Sequence, residues 1–344
     1  MSILRDAWIV AVVLCTIPAF ASADQPTLPG QARLDGPSND AVLLPPQTFD
    51  DTAKGPNHTR ERQGEWTIYA GIYLLQAVFE TNPAFVVGNG NVARQLDFSH
   101  NLEVAPGFWL GYVSERGWGV RGRWFQFDHD SFASYAAAPG ETVRVVSSLP
   151  LGNVAINGTL SASSDLAINV GDFQATCSYD TAFWSHLLGV GVRYTHMSQD
   201  YRASVSNAAT RIDVTSGHNI NAAGPSFSLE TKRRIGESGF AVYGQAHGAI
   251  LFGRANEIYT AVNNGVAQEF SRNQTDVLPV GELEIGGEYS RNIGRACLIV
   301  QAGFAGQVWW GGGNASNLDA IGPSSATNNN FGFLGLAIRA GVRY

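Results

Sequence analysis

Residues 331–344, FGFLGLAIRAGVRY, alternate strictly between apolar positions and a mixed set. Leu334, Leu336, Ile338, Ala340, Val342 and Tyr344 share one face of an extended strand, and Phe333, Gly335, Ala337, Arg339, Gly341 and Arg343 share the other. Successive side chains of a strand point to opposite faces, so this period of two predicts β structure. The apolar face ends on an aromatic with no polar tail after it, as in a strand with lipid on one side and Arg339 and Arg343 on the other. The C-terminal edge strand of a soluble sandwich would alternate in the same way.

The rest of the chain separates these readings. Alternating segments recur at 66–79, 102–112, 118 onward, 166–177, 188–195, 223–230, 240–252, 279–289 and 296–310, making ten with 331–344. Most reach the ~9–11 tilted residues of a membrane-spanning strand, and 188–195 and 223–230, at eight residues each, come within one of it. In the third segment the phase slips near Phe125, which predicts a bulge. Pro106 cannot donate to a ladder and predicts an irregularity in the second. Short turns follow the even segments. Long polar stretches follow the odd ones, among them 130–164, 200–217 and 254–274, with a β-prone piece at 142–146 that suggests a hairpin above the membrane. Even strand number, short turns on one side and long loops on the other describe an all-β, antiparallel, up-and-down transmembrane barrel. Ten strands are expected, twelve if that hairpin joins the wall.

The amino-terminal sequence changes the compartment. Arg5, an apolar run from Trp8 to Phe20 and Ala21-Ser22-Ala23 read as a secretory signal peptide over 1–23. Residues 24–63 are rich in Pro, Gly and Asn and read as a flexible linker, with a plug or periplasmic tether as the alternative, and 64–344 as the barrel. Mean hydropathy is −0.05. A barrel hides in such a value, because polar lumen positions cancel apolar lipid-facing ones. The 39 glycines and the 15% share of charged residues suit strands. A net charge of −7 with no basic patch argues against nucleic acid as a partner. Cys177 and Cys297 fall on segments four and nine, on opposite sides of a ten-strand ring and too far apart for a disulfide.

Five stretches carry a resemblance. FDHDS at 127–131, GVRYTHMSQDY at 191–201, GPSFSLE at 224–230, GFAVYGQAHGAILFG at 239–253 and VLPVGELEIGGEY at 277–289 resemble the Legionella-type major outer membrane protein family. The resemblance implies a pore-forming outer-membrane barrel from Trp66 onward. It also implies that the last strand, through Leu336, Ile338, Val342 and Tyr344, is the handle read by the barrel-assembly machinery.

The candidate lumen residues come from the alternation itself. Glu282, Glu284 and Glu288 share one face, which can meet neither lipid nor a dry core. Arg121, Arg123, Arg193, Arg339 and Arg343, with Gln245 and His247, stand on the corresponding face of other segments. Facing rows of charge would set the selectivity of a water-filled pore for small solutes or ions. Glycines at inward positions (Gly107, Gly111, Gly189, Gly191, Gly335, Gly341) would leave it room. The alternative is a closed structural or adhesive barrel in which acids and bases pair as filling, since a barrel of about eight strands is already filled by side chains. Asp128, His129 and Asp130 at the top of segment three suggest either an omptin-like rim hydrolase or a hydrated loop start, and the second is preferred. No metal spacing, dinucleotide or phosphate loop or nucleophilic triad is found, so neither cofactor nor enzymatic activity is expected. Outer-membrane lipid, the assembly machinery and small solutes are the expected partners, with a homo-oligomer left open.

Overall fold

In the computed structural model, which describes residues 64–89, 92–145, 154–156, 158–181, 183–236, 238–317 and 329–344, the strands are β1 (Glu65–Phe79), β2 (Pro83–Asn89), β3 (Val92–Asp97), β4 (Leu102–Val113), β5 (Trp118–Ala136), β6 (Glu141–Val145), β7 (Val154–Ile156), β8 (Thr159–Asp180), β9 (Trp184–Ser206), β10 (Arg211–Ile235), β11 (Phe240–Asn263), β12 (Val266–Ile293), β13 (Ala296–Trp309) and β14 (Phe331–Arg343). Ten of them close a barrel in the order β1-β14-β13-β12-β11-β10-β9-β8-β5-β4, every pairing antiparallel. The signal peptide and the linker expected over 1–63 lie outside the described residues.

The wall inverts a soluble core. Outward positions carry exposed Val104, Phe108, Leu110, Val190, Val192, Phe227, Ile285 and Phe304, while polar groups are buried inside. Trp66, Trp118, Phe240, Tyr289 and Tyr344 form an exposed aromatic ring at the short-turn end, where amphipathic rings suit a membrane interface. β14 closes the ring in an unbroken register, Leu336 opposite Leu74 on β1 and Phe304 on β13. The seam ends in a reciprocal pair, Trp66 N to Tyr344 O at 2.8 Å and Tyr344 N to Trp66 O at 2.9 Å. Leu336, Ile338, Val342 and Tyr344 all face outward on it.

Three local expectations are corrected. The polar stretches 200–217 and 254–274 are not loops: β9 and β10 run on to a four-residue turn, 207–210, and β11 and β12 to the two-residue turn Asn264-Gly265. Asn264 (φ 47°) and Gly265 (φ 86°) both take left-handed backbone, as a tight hairpin turn requires. Above the lipid the outward face no longer needs apolar residues, so the alternation weakens while the strand continues. Phe125 marks no bulge, because β5 stays in continuous register with β8 from Trp118 to Ala136. Phe125 and Phe127 point inward as apolar filling, and this mimics a phase slip. Pro106 lies in unbroken register with Ile72, and the ladder from β4 to β5 ends at the next residue, Gly107, so no bulge is needed to absorb the missing N–H.

The additional strands do not join the wall. β3-β2-β6-β7 form a separate four-stranded antiparallel sheet built from the connections after β1 and β5. The 142–146 piece thus does strand duty as β6, in a sheet rather than in the barrel. Phe85, Val87, Val143 and Val145 of that sheet pack with Leu160, Tyr201, Val205, Ile212 and Val214, which are inward residues of the tall strands β8–β10. Tyr201 donates through its hydroxyl to Ala84 O at 2.8 Å. The expected tolerance of the outer face offers a check: Gly287, with nothing within 4 Å of an added Cβ, should accept Val with the heat-dependent gel shift of the folded barrel unchanged.

Candidate functional site

The barrel interior is filled in layers that can be followed along each strand from the short turns. On β5 the inward residues run Arg121, Arg123, Phe125, Phe127, His129; on β12 they run Glu288, Glu284, Glu282, Val280, Leu278. Charge gives way to apolar side chains at the same level all round.

Four ion-pair groups make up the charged layer, two of them joined through Gln301. Glu282, its side chain 9% exposed, meets Arg123 Nη2 through one oxygen and Arg193 Nη1 through the other, both at 2.6 Å. Arg193 also donates through Nε and Nη2 to the two oxygens of Asp172 at 2.8 and 2.9 Å, a bidentate fork. Arg339 donates to Glu284 and to Gln301, and Tyr243 donates to Glu284 at 2.6 Å. Glu288 accepts from Lys232 and from Gln301, each at 2.6 Å. Arg121 pairs with Glu230 and donates to Gln174 at 2.7 Å and to Ser228 at 2.8 Å. Buried charges are tolerated only when they are paired; each charge in this set faces an opposite one, although the buried Nε of Arg123 has no hydrogen-bond partner.

The alternation therefore brought together Glu282, Glu284, Glu288, Arg121, Arg123, Arg193 and Arg339. Arg343 stands apart near the short turns, 3.8 Å from Glu65. Gln245 and His247 line, with Tyr73, Arg123, Glu282 and Gln307, a cavity of about 10 Å³, room for one water. Asp172, Gln174 and Lys232 were missed, and Ser228, Glu230, Tyr243 and Gln301, which fall opposite the apolar positions of their segments, were not expected among the lumen groups. Their signal was available: Asp172, Gln174 and Thr176 repeat at a spacing of two, as do Ser226, Ser228, Glu230 and Lys232.

Above the charges lies an aromatic and aliphatic layer. Tyr73 meets Phe125 edge-on at 5.5 Å between centroids, Phe127 lies 4.5 Å from Phe333, and Phe331 stacks on Trp309 at 6.0 Å. Leu75, Ile168, Met197, Ile220, Leu251 and Leu278 complete it, all buried. Arg339 joins the two layers, its guanidinium 5.1 Å from the centre of the Trp109 ring. Gly107 was expected to leave free space. The rings of Trp109 and Tyr73 fill it, and Tyr69 lies over Gly341 in the same way.

The mouth holds a third layer. The segment after β13 folds inward and ends in a short 3-10 turn, Ala315–Asn317. Gln199 Nε2 donates to Gly312 O at 3.1 Å, Ala315 N donates to Gln199 Oε1 at 3.1 Å, and Ser216 donates to Ala315 O at 2.7 Å. Asn314 donates to Asn82 Oδ1 at 3.1 Å, tying this segment to the chain that follows β1. Beneath it His218 is fully buried, 3.7 Å from Glu257. Both lie beyond the apolar outward band of their strands. Burial pushes the His218 imidazole from 6.5 down to about 4. A folded pKa below the free value means that the unfolded chain takes up the proton first, so stability is lost as pH falls from 6.5 to 4. Burial raises the Glu257 carboxyl and acts in the opposite sense. The expected result is a urea midpoint that drops over this window by an amount that His218→Phe removes.

At the rim Asp128 and Asp130 are exposed outward and His129 is buried inward, 3.2 Å from Glu103. The three do not converge on one point. Cys177 on β8 and Cys297 on β13 are free, with four strands between them in either direction round the ring. Among the described residues no three His, Cys, Asp or Glu side chains are grouped to hold a metal ion.

Comparison with curated proteins gives no match. Among solved structures, the outer membrane protease OmpT from Escherichia coli aligns at 10% identity over 81% of this chain and 96% of its own, TM-score 0.44. The toluene transporter TodX of P. putida aligns at 9% identity over 82% and 89%, TM-score 0.28. Ail, the attachment invasion locus protein of Yersinia pestis, aligns at 13% over 82% and 100%, TM-score 0.23. The profile of the Legionella pneumophila major outer membrane protein precursor matches residues 59–343. With its closed ten-strand wall and lipid-facing outer surface, the chain is an outer-membrane β-barrel that belongs to the Legionella major outer membrane protein family.

Proposed function

We propose that this protein is a surface-presenting outer-membrane barrel, shut at rest by its own side chains, whose work is done by the tall wall and the four-stranded sheet above the membrane. The observation that carries this is the filling of the interior at three successive levels: paired charges, packed rings, and the inward-folded segment with its sheet. β8 to β12 have 22 to 28 residues, about twice what a span needs, so much of the chain stands outside the lipid. No catalysis is assigned to it, since Asp128, His129 and Asp130 are split between two faces.

A second reading is a pore. It is favoured by family membership and by the rows of opposite charge that meet across the interior, and it requires the Arg123–Glu282–Arg193 cluster to part. Liposome swelling separates the two. Proteoliposomes in isotonic arabinose should swell no faster than protein-free ones; swelling that rises with protein content would establish diffusion of small solutes and defeat the closed reading.

A further inference from the structure

Two arginines interrupt the lipid-facing surface near the short turns. Arg233 follows Phe227, Leu229 and Thr231 on the outward face of β10, and Arg291 follows Ile285, Gly287 and Tyr289 on that of β12. In each strand the apolar surface resumes below the guanidinium: Ile235 is 53% exposed and Ile293 60%. Apolar side chains thus bracket both charges, which sets them in the headgroup zone rather than in the water beyond it. The two hairpins are adjacent, linked by Ser290 N donating to Gly239 O at 2.8 Å. Arg295, in the second turn, adds a third positive charge, against one acid, Glu237, in the sequence of the first. Of the other cations at this end, Lys232 is engaged by Glu288 and Arg343 by Glu65, while Arg116, in the turn after β4, and Arg234, on the other face of β10 from Arg233, have no ion pair among the described residues. Among the described residues no carboxylate pairs with Arg233, Arg291 or Arg295. Arg233 is held instead over the Trp184 ring, 5.4 Å from its centre, with its charge free to face lipid.

Short turns of such barrels face the periplasm, so the adjoining leaflet is the inner one. We infer that Arg233 and Arg291 form a binding surface for anionic phospholipid headgroups of that leaflet, each guanidinium taking a phosphodiester in a forked contact. Trp184 and Tyr289 supply the amphipathic flank beside it. An anionic surface contributes about 1 kcal/mol for each cation, or roughly five-fold in occupancy.

Native mass spectrometry of the full-length protein, released from nanodiscs of mixed phosphatidylethanolamine and phosphatidylglycerol, tests this. Phosphatidylglycerol should be enriched on the wild-type protein over its share of the bilayer. Arg233→Gln and Arg291→Gln should each lower that enrichment about five-fold, while Arg→Lys at the same positions keeps most of it. All four variants sit at exposed positions, and the heat-dependent gel shift verifies that each is folded. Equal enrichment in wild type and the Gln variants overturns the inference. So does complete displacement of phosphatidylglycerol by millimolar inorganic phosphate, which would mark a site for free anions.

Discussion

Replacing Glu282 by Leu is expected to destabilise the barrel by about 3–5 kcal/mol, the range for breaking a buried pair by removing one partner. Glu282 is the hub of the charged layer, taking Arg123 on one oxygen and Arg193 on the other. Arg193 would keep its fork to Asp172. Arg123 would keep no carboxylate among its described ion pairs, and its buried charge would stand alone. Most of the loss therefore belongs to Arg123, and Glu282→Leu combined with Arg123→Met should recover much of it, since an apolar replacement of a whole buried pair is often neutral. Urea unfolding in lipid vesicles measures all three variants, and the double-mutant cycle isolates the coupling. A single-variant loss below about 1 kcal/mol, typical of a solvent-exposed pair, would mean that water reaches this layer.

Gly335→Val is expected to prevent closure altogether. On the β1–β14 seam a Cβ built on Gly335 would fall against the backbone oxygen of Leu74, and backbone cannot swing aside as a side chain can. The constraint is shared along the seam. Added Cβ atoms on Gly71 and Gly341 would meet the backbone oxygens of Ile338 and Ile68, so the strands approach closely at three points. The folded, heat-shifted species should be lost in Gly335→Val and retained in Gly287→Val. Normal folding of both would mean that the seam is looser than its register implies. Deleting Tyr344 removes the reciprocal pair with Trp66 at the foot of the same seam, and it should slow insertion into lipid vesicles while sparing the folded product.

The contrast between those two glycines shows what was legible in the sequence. Strand number and the up-and-down ring order follow from alternation and from the rhythm of short turns, both local properties. Glu282, Glu284, Arg193 and Arg339 were legible for the same reason, because no charged face can meet lipid. Phe125 and Phe127 were not, since an inward ring within a filled barrel looks in sequence like a lipid-facing one. The height of β9–β12 escaped because strands beyond the lipid carry Ser, Thr, Asn and Asp outward, a composition shared with loops; Asn264-Gly265 was the missed mark of a hairpin. Gly107 and Gly341 misled for a third reason. A glycine shows that a side chain is absent, and only the packing shows that Trp109 and Tyr69 fill the space.

The most direct test of a closed interior is single-channel recording of the purified wild-type protein in planar bilayers, with folding verified in the same preparation. A lumen sealed at successive levels by paired charges and stacked rings predicts a quiet baseline. Uniform, long-lived conductance steps from the wild-type protein would contradict it, and a shift of their ion preference toward anions in Glu284→Lys would place the open path along the charged layer itself.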